Sequence, residues 1–80
     1  MSIMALKVGE TTRLEFPNPE MSSFTVHTDT DDVVEVVKNS TGDPAWVKIT
    51  AKQPDDTLVT VCVAGNEAQP VWEKLVMVHA

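Results

Sequence analysis

Residues 46–63 read WVKITAKQPDDTLVTVCV, and their alternation decides the fold class. In the first half Val47, Ile49 and Ala51 fall on one side, against Trp46, Lys48 and Thr50. Past the turn residues Gln53 to Asp56, the run Thr57 to Val63 sets Val59, Val61 and Val63 against Leu58, Thr60 and Cys62. Successive side chains of a strand point to opposite faces, so a sustained period of two marks a half-buried β-strand. Valine, stiff at χ1, suits that pleated surface better than a helix.

Working outward, the same period recurs. Ile3 to Val8 is closed by Gly9-Glu10, and Thr11 to Phe16 is stopped by Pro17-Asn18-Pro19. Ser23 to Thr28 pairs Phe24 with Val26 before the acidic turn Asp29 to Asp32. Val33 to Lys38 is apolar on both faces, and Asn39 to Pro44 is a loop. A longer connection opens at Gly65-Asn66 and runs through Pro70 to a last run, Trp72 to His79, with Val76 and Val78 against Leu75 and Met77. No segment carries a 3.6-residue apolar period. Short alternating runs separated by turn residues predict one all-β sandwich domain over residues 1–80, with a small barrel as the alternative.

Composition narrows the function classes. The 80 residues carry 12 acidic and 6 basic side chains, a net charge of −6. Arg13 is the only arginine, and the lysines at 7, 38, 48, 52 and 74 are scattered. Phosphate neutralisation needs clustered cations, so neither nucleic acid nor an anionic membrane is an expected partner. Cys62 stands alone, which rules out an intrachain disulfide. The opening stretch MSIMALKVGE lacks the pattern of a signal peptide, and no run is long enough to span a membrane as a helix. Synthesis and retention in a cytoplasm are the expectation.

Leu6-Lys7-Val8-Gly9-Glu10-Thr11, the stretch Thr28 to Val36 and the pair Val47 to Pro54 and Leu58 to Val61 together resemble the bacterial Ig-like domains of group 2. Those domains occur in intimin- and invasin-type adhesins and in many phage virion proteins. The resemblance covers about Leu6 to Val78 and implies an immunoglobulin-like antiparallel β-sandwich of about seven strands. The chain resembles the N-terminal domain of pilus-secretin proteins less closely. Where the group 2 pattern has a glycine after the stretch ending in Pro54, this chain has Asp55 or Asp56. The turn there must take another geometry, and Asp tolerates the left-handed region.

Chemistry-bearing residues are sparse. Asp29, Asp31 and Asp32, with His27 upstream, resemble the start of a calcium loop but lack its glycine and distal glutamate, so they read as a solvated turn. His27 and His79 form part of a site only if their strands are neighbours; alone they read as surface histidines. Cys62 lies between Val61 and Val63 with no adjacent base, the setting of a strand residue and not of a nucleophile. Asn39-Ser40-Thr41 has the form of a glycosylation sequon and reads as loop chemistry. No catalytic residue, metal ligand or cofactor is expected.

The apolar residues left outside are more informative. With Val47, Ile49, Val59, Val61, Val76 and Val78 facing the core, period two sends Trp46, Leu58, Leu75 and Met77 outward, where Val33, Val37 and Trp72 could join them. Trp46, Leu58, Leu75, Met77 and Trp72 are therefore the candidate protein-binding residues. The competing reading is a one-residue slip on a strand or two, which inverts the set.

The expected function is a non-catalytic module that packs into a protein assembly. The group 2 resemblance, an initial Met and the absence of a secretion signal point to a phage virion accessory protein, a capsid decoration or tail protein, whose expected partners are the proteins of that assembly or further copies of itself as a homo-oligomer. The alternatives are a spacer or adhesive domain of a bacterial surface or secretion protein, and a small acidic inhibitor that mimics nucleic acid. The inhibitor reading requires Asp29, Asp31, Asp32, Glu35, Asp55 and Asp56 to cluster on one face.

Overall fold

The computed structural model describes residues 2–18, 23–39 and 42–80. The alternating runs become seven strands: β1 (Ile3–Lys7), β2 (Thr11–Phe16), β3 (Phe24–Thr28), β4 (Val34–Asn39), β5 (Ala45–Ala51), β6 (Asp56–Val63) and β7 (Trp72–His79). They form a four-stranded sheet in the order β1-β7-β6-β3 and a three-stranded sheet in the order β2-β5-β4. Among the described residues no strand pairing joins the two sheets, so the fold is a sandwich and not a barrel. One pair departs from the antiparallel expectation: β1 runs parallel to β7, with Ile3 opposite Leu75 and Lys7 opposite His79. No turn connects these two strands, so nothing forces them to oppose.

The inner faces are those the alternation marks. Val47, Ile49, Val59, Val61 and Val76 have no exposed surface, and Leu6, Phe24, Ala51 and Val78 are nearly as deep. Full burial of each large aliphatic contributes roughly 1.5–3 kcal/mol relative to leaving it in water. Met4, Leu14, Phe16, Val26, Val34 and Val36 close the margins of this core. Phe16 meets Phe24 edge to face, with ring centroids 5.5 Å apart.

Three connections, β1–β2, β3–β4 and β5–β6, pass from one sheet to the other at one end of the sandwich, the crossover pole. The opposite end, the hairpin pole, carries the β4–β5 and β6–β7 returns within a sheet and the single passage from β2 to β3. Pro19, Ser40 and Thr41, which the sequence places in turns there, lie outside the described residues.

At the crossover pole the Glu10 N–H donates to the Lys7 carbonyl at 2.8 Å, closing a turn with Gly9 at φ 91°. A positive φ at the third residue is the type II geometry, which glycine adopts without a Cβ clash. The turn also sews the sheets together. The Val8 N–H donates to the His79 carbonyl at 2.9 Å, and the Gly9 N–H to the Ala51 carbonyl at 3.0 Å. The β3–β4 crossover places Asp32 at φ 65° and drives Val33 into the core with no exposed surface. Val33 therefore does not join an outward set. It precedes β4, where the chain is still crossing between sheets and strand alternation does not yet apply. Asp32 is the only non-glycine residue with positive φ among those described, so the turn at Asp55 and Asp56 does without the left-handed region.

Candidate interaction surface

On the outer face of the four-stranded sheet, Leu75 of β7 lies opposite Ile3 of β1 on one side and Leu58 of β6 on the other. The next row sets Met77 between Ala5 and Asp56. Ile3, Leu58, Leu75 and Met77 thus form one apolar cluster spanning three strands. Ile3 is 59% exposed and Met77 41%, while Leu58 and Leu75 are half-buried. Ile3 was not among the sequence candidates, although it shares its face with Ala5, opposite the inward Met4 and Leu6.

The two tryptophans are elsewhere. Trp46 is on the opposite outer face, that of the three-stranded sheet, between Glu15 of β2 and Asn39 of β4. There the Arg13 guanidinium sits 4.9 Å from its ring centroid, an arrangement that contributes about 0.5–1 kcal/mol at an exposed site. Trp72 does not face outward: it packs against the core, with the Lys74 amine 5.7 Å from its ring centroid. Its position matches the parity of Val76 and Val78, so the alternation of β7 itself turns it inward. The expected five-residue surface therefore reduces to Leu58, Leu75 and Met77, joined by Ile3.

The acidic residues separate by role. Asp29 Oδ1 accepts the Leu58 N–H at 2.7 Å, the Thr57 hydroxyl at 3.2 Å and the Thr30 hydroxyl at 3.2 Å. The Leu58 N–H foremost, aided by the two hydroxyls, holds the Asp29 carboxyl below the ordinary carboxylate range. Thr57 is buried and also takes the Thr30 N–H at 3.2 Å. This network fastens the end of β3 to the start of β6. Asp31 and Asp32 sit in the β3–β4 crossover, Asp55 ends the β5–β6 crossover and Asp56 begins β6, and the Gln53 side chain bridges the two crossovers by donating to the Asp32 carbonyl at 2.8 Å. Among the described residues, no three of His, Cys, Asp and Glu gather where they could hold a metal ion.

His27 and His79 lie on β3 and β7, with β6 between them, so they do not meet. Cys62 is buried, and its thiol donates to the Glu67 carbonyl at 3.6 Å. It shares an open depression of about 470 Å³ with Thr25, His27, Thr60 and Glu67. A second groove, of about 460 Å³, opens along the side of the sandwich between β3 and β4, lined by Val26, Thr28, Asp31, Asp32, Val34, Val36 and Lys38. At the hairpin pole Asn18 is buried, its N–H donating to Asp43 Oδ1 at 3.0 Å and its amide to the Gly42 carbonyl at 3.3 Å. Alternation marks Asn18 as a turn residue and Thr57 as a strand terminus, and period two says nothing about which polar groups become buried.

Seven strands in these two sheets define an immunoglobulin-like β-sandwich. No known family model matches the chain, and no curated protein does. Among solved structures it is similar to the crystal structure of the S-layer protein SbsC domains 4 and 5, with TM-score 0.68 and 14% identity. The match covers 100% of this chain and 49% of that one, so the chain spans about half of its length. At that identity the likeness speaks for the fold alone.

Proposed function

We propose that the chain is a non-catalytic packing module, seated in a larger protein assembly through the outer face of its four-stranded sheet. The observation that carries this is the Ile3–Leu75–Leu58 row with Met77 beside it, because contiguous exposed apolar residues mark interfaces where scattered ones do not. Burial of that area against a neighbouring protein is the whole mechanism, and no bond is made or broken. The residue pattern of group 2 bacterial Ig-like domains supports a virion accessory role, as a capsid decoration or tail protein. The likeness to S-layer domains favours a second reading, a spacer or packing domain of a bacterial surface protein.

Fractionation of the source cells, or of particles released from them, tests the proposal. Wild-type chain is expected to sediment with a large assembly. A Leu58→Asp, Leu75→Asp double variant should stay folded by circular dichroism yet remain in the soluble fraction. A wild-type chain found only as free soluble protein overturns the reading. Co-purification with capsid and tail proteins, or with the surface layer, separates the two assemblies.

A further inference from the structure

We infer that the open edge of β4 is a self-association edge, taken up by β4 of a second copy in antiparallel register centred on Val36. β4 is the outer strand of its sheet and pairs only with β5 among the described residues. The Lys52 N–H donates to the Val33 carbonyl at 2.8 Å, which fixes the phase of that ladder. By alternation, Glu35, Val37 and Asn39 direct their backbone groups to β5, whereas Val34, Val36 and Lys38 direct theirs outward. An edge strand is an exposed template for another strand unless charge, proline or a bulge blunts it. β4 has no proline, and its two charges are engaged within their own fold, Glu35 at 3.5 Å from the Lys52 amine and the Lys38 amine donating to the Phe24 carbonyl. Val34 and Val36 line the lateral groove on its inner side, and Val37 is 44% exposed on its outer side.

The chemistry of the edge names its occupant. The groove runs from Asp31 and Asp32 at one end to Lys38 at the other, with valines between. An extended segment that complements it carries a base at the acidic end and apolar residues at alternate positions. Read antiparallel, β4 is such a segment. In the register centred on Val36, the two Val36 residues exchange backbone hydrogen bonds, and Lys38 of each copy lies opposite Val34 of the other, diagonal to Asp32. Glu35 lies opposite Val37, and the two Val37 side chains become diagonal neighbours that cover each other. A slip of one step toward Glu35 would set the two Glu35 carboxylates face to face. The opposite slip, centred on Val37, leaves Val34 with no partner inside the strand and moves Lys38 away from Asp32. A contact between edges this short buries little area, so the dimer is weak and forms only with rising concentration.

Sedimentation equilibrium of the purified chain, from micromolar to millimolar, tests the inference independently of the sheet face proposed above. The mass is expected to climb from one 8.8 kDa chain toward twice that value. Val36→Pro removes an outward N–H and spares the ladder to β5, and Val37→Glu sets its carboxylate directly opposite Glu35 of the second copy and diagonal to its own twin. Each variant should remain monomeric with a wild-type circular dichroism spectrum. If the proline variant does not fold, Val37→Glu and hydrogen exchange carry the test, since the Val34, Val36 and Lys38 amides should slow as wild-type concentration rises. A chain that stays monomeric at millimolar concentration overturns the inference, even if it takes up an extended segment of another protein. So does a dimer that survives Val37→Glu but is lost on Leu58→Asp and Leu75→Asp, which would place the contact on the outer sheet face instead.

Discussion

The two poles of the sandwich hold it together by different means. At the crossover pole the chain passes between sheets three times, and each passage is fixed by specific polar bonds: the Gly9 turn, Asp29 on Leu58 and Thr57, and Gln53 on Asp32. At the hairpin pole two of the three connections return within a sheet, and Asn18 with the Phe16–Phe24 contact secures the third. A hairpin inherits its geometry from the ladder it continues. A crossover has no ladder, so the sequence must supply its geometry residue by residue.

Substitution should expose that asymmetry. The largest effect is expected from Val33→Asp in the β3–β4 crossover, where an unpaired charge in a fully buried position costs more than the roughly 5 kcal/mol that holds a small domain folded. Its counterpart in the β6–β7 return, Val71→Asp at an exposed position, should change stability by no more than about 0.5 kcal/mol. Equal unfolding of both in far-ultraviolet circular dichroism would erase the distinction between the poles. Next, Thr57→Val leaves the Thr30 N–H unpaired and should cost about 1–3 kcal/mol in urea denaturation.

A smaller loss, about 1–2 kcal/mol, is expected for Gly9→Ala. A Cβ at Gly9 would meet no atom within 4 Å, so the whole cost is the left-handed backbone. The subtlest expectation concerns acid. Because the Asp29 carboxyl titrates below its ordinary value, its stabilisation is complete above the unfolded-state value of about 4 and is lost as pH falls through the lowered folded-state value. Asp29→Asn should therefore be weaker than wild type at neutral pH, with urea midpoints converging in acid. A gap that stays constant down to the lowest accessible pH would show that the charge plays no part.

Much of the molecule was legible in the alternation. Every strand lies within a residue of its expected bounds, and Val47, Ile49, Val59, Val61, Val76 and Val78 all face the core. What alternation does not encode is the sheet to which a strand belongs. Trp46 and Leu58 both point outward from their own strands, yet β5 and β6 lie in different sheets, so their side chains leave the sandwich on opposite faces. Trp72 shows the converse: the period of β7 turns it inward, and grouping it with the outward residues overrode that parity. The clustering of Asp29, Asp31, Asp32, Asp55 and Asp56 at one pole follows from the β3–β4 and β5–β6 crossovers meeting there, a property of topology that no single run of sequence displays.

The parallel pairing of β1 with β7 has a mechanical consequence. Because the two strands point the same way, tension applied between Ser2 and Ala80 slides one past the other and loads the whole Ile3–Lys7 ladder at once. A hairpin pulled from its open end yields one rung at a time. A load that must shear all the rungs together meets a higher force before rupture, so stretching by its ends should meet a single stiff clamp in this domain, at the seam where the first strand lies along the last.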